Sequence, residues 1–258
     1  MSSDGPPTPR TVHWREVAVA VALVAFAFWL RTRNLYEVFV GGEVLPTDAD
    51  CSYHMRRSLL TLEHFPRVPS LDPWVAWPDG ARPTNGPGTD LLFAAVAYFF
   101  GARGAPDRAE HIIAWVPVAL GLATALAAAN AAARLEPELR RRASTSLCAL
   151  VFAVAIPVSV RVSAVGFTDH HVFESLAPLA TLAWVATRGS APTLRWEAWG
   201  AAILVGSVGL YPGTLISHAL LVAGLALHAL FGETPPRRRL VGTGAPAFAM
   251  AAASSACS

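Results

Sequence analysis

Two short stretches hold most of the side chains that could do chemistry, PTDADCSYHMRR at 46–57 and VGFTDHHVFES at 165–175. In the first, Asp48 and Asp50 stand two apart. Along an extended segment that spacing aims both carboxylates the same way, toward a divalent cation or a sugar hydroxyl. The same pair reads equally as a helix start, with Asp48 as N-cap and Asp50 in the first turn. His54 and Arg56 follow within reach of a phosphate or carboxylate, or else as solvated side chains. In the second stretch Asp169 and His171 repeat the two-residue spacing, with His170 pointing away if the segment is extended. A carboxylate plus an imidazole suits a first-row ion such as Mn²⁺ better than Ca²⁺, which prefers oxygen alone. The structural alternative makes 168–174 a polar helix start, with Thr168 or Asp169 as cap and Glu174 as an N-terminal acid.

The chain that must position these groups is greasy. Its 258 residues are 53% hydrophobic and only 15% charged, against about a quarter charged in ordinary soluble domains. Apolar runs approach the ~20 residues that a bilayer-spanning helix needs. The sequence therefore predicts an all-α, polytopic protein of the lipid bilayer. A net charge of +2, scattered along the chain, excludes nucleic acid as a partner. Cys51, Cys148 and Cys257 lie too far apart for a CxxC pair, which argues against a zinc knuckle or disulfide framework.

About five or six spans are expected, near 16–31, 109–133, 144–162, 172–187, 197–210 and 214–231. Residues 1–15 form a polar arm, and 232–258 a basic loop and small-residue tail. Between the first two spans lies a long segment, 32–108, in which 53–64 has the apolar spacing of an amphipathic surface helix. The apolar piece 91–100 is too short to cross at ~1.5 Å per residue. If it does not cross, Arg10, Arg15, Arg134, Arg140 to Arg142, Arg188, Arg195 and Arg237 to Arg239 share one side, as the positive-inside rule expects. The segments 32–108 and 163–171 then both emerge on the other, external face. Elsewhere, His218 and His228 read as hydrogen-bonded core histidines, YPGT at 211–214 as a helix break, and Trp14, Trp184 and Trp196 as an interfacial belt. Asp72-Pro73-Trp74 and Trp77-Pro78-Asp79-Gly80 read as turns.

In order and spacing, DADCSYHMRRSL (48–59), LDPWVAWPDGARPTNGPGTDLL (71–92), GFTDHHVFESL (166–176) and GLYPGTLI (209–216) resemble the catalytic subunit of oligosaccharyltransferase in its bacterial and archaeal single-subunit forms. The resemblance runs from about residue 15 to 231. It implies a GT-C transmembrane helix bundle in a prokaryotic cell membrane. It also implies transfer of an oligosaccharide from a polyprenyl or dolichyl (pyro)phosphate to the Asn of an N-x-S/T sequon in an acceptor polypeptide. By resemblance Asp50 is the catalytic carboxylate that binds the cation, Mn²⁺ or Mg²⁺, and contacts the acceptor amide. Asp169 and His171 are the other metal ligands. Asp48, His54, Arg56, His170 and Glu174 are left as substrate contacts or supports of that site. Some archaeal members carry a further His where this chain has Asn85. Family members also have about twice as many membrane helices, a later loop with a catalytic-site Glu, and a soluble domain with a WWDYG motif. The chain is thus expected to correspond to their N-terminal membrane portion and not to complete the reaction alone.

Two other readings stand beside this one. Another GT-C transferase would use a polyprenyl-phosphate sugar donor with a similar acidic first loop. A small ion-coupled transporter or assembly subunit would instead carry its charges near mid-membrane.

Overall fold

In a computed structural model, residues 14–83, 86–136, 138, 141–187 and 193–231 are described. Apolar runs with few helix breakers become helices, and the breaks fall at Pro, Gly and polar clusters. The order is α1 (Trp14–Thr32), α2 (Leu35–Val38), a two-stranded hairpin of β1 (Phe39–Val40) and β2 (Glu43–Val44), α3 (Ala49–His64) and α4 (Gly88–Phe99). There follow α5 (Pro106–Leu135), α6 (Arg142–Ala155), α7 (Pro157–Arg161), α8 (His171–Ala186), α9 (Leu194–Leu210) and α10 (Thr214–Phe231). The hairpin is antiparallel, with Phe39 opposite Val44 and Val40 opposite Glu43.

The polar segment 162–170 marks one end of the bundle. The C-terminal turn of α1 reaches it through Val165 N, which donates to Arg31 O at 2.9 Å. The first turns of α5 reach it through Gly166 N to Ala114 O, also at 2.9 Å. α8 starts there, and α9 ends beside it, Tyr211 lying on the His170 ring. The long helices therefore alternate: α1, α6 and α9 run toward this end, while α5, α8 and α10 run away from it. Arg15, Arg134, Arg141, Arg142 and Arg195 sit at the opposite end, on the terminal turns of these helices or next to them. Close crossing is allowed by Gly121 of α5, where a Cβ would lie 2.4 Å from the Ser163 side chain and 2.6 Å from Arg31 Nε.

Residues 32–114 leave and return at this same end, as expected if 91–100 does not cross. They are not a loop, however, because α2, the hairpin, α3 and α4 occupy much of the segment. α4 has 12 residues, and its start is pinned to the end of α9 by Thr89 Oγ1 donating to Leu210 O at 2.9 Å. The helix expected at 53–64 begins earlier, at Ala49, and is not a free amphipathic surface helix. Its buried side carries His54, Arg57 and Ser58 beside Met55 and Leu62, packed with Phe93, Ala94 and Ala97 of α4 and Ile113 of α5. The predicted span 144–162 is divided at Ile156 into α6 and α7, because Pro157 offers no N–H to continue the first helix. YPGT does break the chain, between α9 and α10. Trp184 departs from the belt reading. It is buried and stacks on Trp196 at 4.3 Å, its indole N–H donating to Trp196 O, so it seals α8 against α9.

Arg31, Thr124, Ser163, Thr181, Ser207 and His218 are buried, whereas Val21, Phe152, Trp199, Ile216 and Leu220 are exposed. His218 is a core histidine as expected, its Nε2 lying 3.4 Å from Thr181 Oγ1 and 3.3 Å from Ser207 Oγ. Among the described residues one helix, α5, is long and apolar enough by itself to cross a bilayer. At 30 residues it is ~45 Å long against a ~30 Å hydrocarbon core. The arm 1–13, Asn85, Arg140, Arg188, the tail 232–258 with Arg237 to Arg239 and Cys257, and the His228 side chain lie outside the described residues.

Candidate metal centre

Segment 162–170 is held by its backbone, not by its charges. Asn34 Nδ2 donates to Val165 O at 3.0 Å, and Thr47 N to Gly166 O at 3.3 Å. Gly166 has φ +78° and no room for a Cβ, which would meet Val38 Cγ1 at 2.8 Å. Such a backbone favours glycine. Thr168 then donates through Oγ1 to Cys51 O at 2.8 Å, a fully buried bond that ties the segment to the first turn of α3. Asp169 follows directly, 1% exposed and facing the buried side of α3.

The two sequence stretches thus meet, but with geometry that the extended-chain reading missed. Segment 162–170 is a run of tight turns, with Ala164 N to Arg161 O, Phe167 N to Ala164 O and Asp169 N to Phe167 O. The two-residue alternation fails here, so His170 does not point away. Its backbone N donates to Asp169 Oδ1 at 2.6 Å, its Nδ1 lies 2.5 Å from the same oxygen, and its ring stacks on Tyr211 at 4.2 Å. Neither Thr168 nor Asp169 caps α8. His170 occupies the cap position, without a side-chain cap bond.

Asp48 is the N-cap of α3, as one reading had it, accepting from Cys51 N at 2.9 Å. Asp50 lies in the first turn of α3, exposed. Because α3 has already begun at Ala49, Asp48 and Asp50 do not share an extended face. Arg56 is committed elsewhere, making a bidentate pair with Asp72 at 2.5 and 2.6 Å.

Four ionisable side chains form a buried line: Arg57, Asp90, His54 and Asp169. His54 Nδ1 lies 2.7 Å from Asp90 Oδ1, Arg57 Nε donates to Asp90 Oδ2 at 3.3 Å, and His54 Nε2 faces Asp169 Oδ1 at 3.3 Å. On the outer side His171 Nε2 lies 3.4 Å from Asp169 Oδ2, and His171 Nδ1 lies 3.1 Å from Glu174 Oε1. Asp90 and Arg57 escaped the sequence reading. The one available signal was an acid followed by an apolar run, TDLLFAAVAYFF, which by itself says only helix start.

Burial would push the Asp169 carboxyl up, but hydrogen bonds from His170 outweigh it and hold the carboxyl below its ordinary range. Burial likewise disfavours the His170 imidazolium, yet its bond to Asp169 leaves the ring more basic than usual. Burial, with help from the Glu174 charge, raises the Tyr211 phenol. The Cys51 thiol is pushed up to about 12, chiefly by burial, so it stays a neutral thiol and no thiolate ligand.

Among the described residues, two groups of donor atoms lie close enough together to hold one ion: His54, Asp169 and His170, and His170, His171 and Glu174. Carboxylate plus imidazole fits a first-row divalent cation. Asp50 belongs to neither group, although its charge acts on His170. Beside the centre, a cleft of about 450 Å³ is walled by Leu30, Val160 and Phe167 with Arg33 and Arg161 among its lining residues.

No family model matches the chain. Among curated proteins it is similar to the dolichyl-monophosphooligosaccharide–protein glycotransferase AglB of Haloferax volcanii, at 28% identity over 167 residues, 62% of this chain and 15% of the relative. Among solved structures it resembles the Archaeoglobus fulgidus oligosaccharyltransferase in complex with Zn and sulfate, with a TM-score of 0.78 and 20% identity over 90% of this chain and 30% of that one. A second structure of AglB from that organism, with an inhibitory peptide and a dolichol-phosphate, gives a TM-score of 0.64 at 22% identity over 77% of this chain and 23% of that one. The chain therefore spans less than a third of the length of the proteins it matches.

Proposed function

We propose, from its likeness to oligosaccharyltransferase catalytic subunits in sequence and fold, that this chain belongs with them and forms the metal-binding membrane part of an enzyme that glycosylates protein. The relatives are glycosyltransferases by name, and the fold match covers 90% of this chain. The donor would be an oligosaccharide on a dolichyl or other polyprenyl (pyro)phosphate, and the acceptor the Asn of an N-x-S/T sequon. The neighbour solved with a dolichol-phosphate and a peptide supports both classes of ligand. The apolar outer surface and the alternating long helices support a multi-pass bundle in the cell membrane, with the metal centre on the external face.

The observation that carries this reading is the convergence of the DHH segment on α3. Asp169 and His171 would hold the cation, with Asp50 reaching in from the first turn of α3 and also meeting the acceptor amide. Asp50 is free for this, being exposed and not needed as the cap, which Asp48 supplies. Mn²⁺ suits the mixed donors, Mg²⁺ is the alternative, and the neighbour solved with Zn supports a divalent site. A bound cation would supply fixed positive charge against the charge that develops on the departing phosphate. The leaving group is already activated, so the residues mainly bind and orient. Tyr211 and Glu174 hold the His170 and His171 rings, and the Arg33–Arg161 cleft offers two guanidiniums beside an apolar wall to a lipid phosphate. Asp48 and Arg56 serve the frame, as cap and as partner of Asp72.

The test is Mn²⁺ binding to the purified chain in lipid nanodiscs. His171→Ala should weaken it at least tenfold, the scale on which even outer-sphere residues act. Unchanged affinity would remove His171 from the site.

A further inference from the structure

We propose that His54 is an additional ligand of the cation held at Asp169, and that Asp90, backed by Arg57, is the residue that positions it. The inference rests on the metal-dependent reading above and adds an inner ligand that the DxH spacing does not contain.

The contacts on the two ring nitrogens of His54 are unequal. Nδ1 makes a short bond, 2.7 Å, to Asp90 Oδ1. An ionised carboxylate offers only acceptors, so Nδ1 carries a proton, which leaves Nε2 as the nitrogen that can bind an ion. Nε2 has no comparable bond. Its neighbours are Asp169 Oδ1 at 3.3 Å and His170 Nδ1 at 3.4 Å. Both exceed the ~2.7–2.9 Å of a charge-assisted hydrogen bond. They match the spacing of two ligands sharing one ion, since bonds of ~2.0–2.2 Å place neighbouring donor atoms roughly 3.0–3.5 Å apart. His171 Nε2 stands at the same spacing, 3.4 Å, from the other oxygen of Asp169. Asp169 thus faces His54 from Oδ1, which also accepts from His170, and His171 from Oδ2.

The support behind His54 is that of a metal-bound histidine, whose second nitrogen donates to a carboxylate that fixes its tautomer and orientation. That carboxylate is itself held, because Arg57 Nε donates to Asp90 Oδ2, and Arg57 is anchored in turn on Pro69 O at 3.2 Å. His54, Asp90 and Arg57 are each 1% exposed, so solvent competes with none of these bonds. A purely structural ion pair would not need the inequality of the two sides, 2.7 Å at Nδ1 against 3.3 Å at Nε2.

The experiment is Mn²⁺ electron paramagnetic resonance on the chain in nanodiscs. The free-ion signal gives affinity, and the nitrogen modulation of the bound ion counts imidazole ligands. The unmutated chain should show at least two imidazoles, where the Asp50–Asp169–His171 set alone gives one. His54→Gln should lose one imidazole and bind Mn²⁺ at least tenfold more weakly. Asp90→Asn leaves one acceptor for two donors, His54 Nδ1 and Arg57 Nε, so the hold on the ring is lost or shared, and binding should weaken about 10–100-fold. Arg57→Lys, which keeps a charge on Asp90, should bind nearly as the parent does. A single imidazole in the unmutated chain, or unchanged affinity in folded His54→Gln, overturns the proposal and leaves the metal-dependent reading standing. Unchanged affinity in Asp169→Asn would instead refute that reading as a whole.

Discussion

Replacing Asp72 by Asn should open the turn-rich segment 71–81 without disturbing the bundle. The Asp72 side chain is fully buried, while Arg56, its bidentate partner, is 33% exposed. Asp72 also accepts from Trp74 N at 3.0 Å, and its backbone exchanges two bonds with Ala81, at 2.9 and 3.1 Å. Breaking a wholly buried ion pair costs about 3–5 kcal/mol, and an exposed one about 0–1 kcal/mol. Water can recover part of the Arg56 solvation, and Asn keeps one oxygen for Trp74 N, so the expected local loss is about 2 kcal/mol. That is about a 30-fold increase in opening. Hydrogen exchange on peptides covering 69–83 should therefore quicken by about 30-fold, while α5 amides keep their protection. A change below about threefold would refute the assignment of Arg56 to the frame and return it to the list of free substrate contacts. Equal acceleration in α5 would show that the segment does not open independently.

Two further outcomes follow from the same contacts. Gly166→Ala combines a φ of +78° with a Cβ only 2.8 Å from Val38 Cγ1. Left-handed strain of about 1–2 kcal/mol and overpacking of about 1–3 kcal/mol should lower Tm by several degrees in a thermal scan. Mn²⁺ affinity should fall too, and adding Val38→Ala should restore only part of the loss. The second outcome concerns acid. Burial alone would raise the Asp72 carboxyl, but the Arg56 bonds outweigh it and hold it below its ordinary range. Its contribution is then fully present above the unfolded carboxylate value of about 3.9 and is lost as pH falls through the lower folded value. Segment 71–81 should keep its exchange protection at pH 5 and lose it only below about pH 4, and the Asp72→Asn profile should lack this step.

Much of the molecule was legible because its signals are local. Hydropathy placed the long helices within a few residues, though it ran 144–162 through Pro157, the 211–214 break ended α9, and the asymmetry of Arg put the basic termini at one end. Asp48 read correctly as a cap because capping depends on three residues of chain. The errors came where backbone conformation had to be assumed. The two-residue rule holds on extended chain, whereas Asp50 is already helical and 162–170 is folded into turns. Trp184 was misread for another reason, a large amphipathic side chain taking whichever partner the fold brings, here Trp196, while Arg56, left open between carboxylate, phosphate and solvent, found the Asp72 carboxylate.

The sequence by itself determined that this is a helical, apolar chain with two acidic and histidine-bearing segments, since composition and spacing carry that information. Only the tertiary structure decided which of those groups share a site. Asp90 is 36 positions from His54, and Asp169 a further 79 positions beyond Asp90. Nothing in the local pattern couples them. Their meeting depends on Thr89 fixing α4 to the end of α9, and on Thr168 fixing the DHH segment to Cys51. Once those buried bonds are made, four ionisable groups are removed from water together and must satisfy one another. This requirement aligns Arg57, Asp90, His54 and Asp169, and it arises only when the helices have packed.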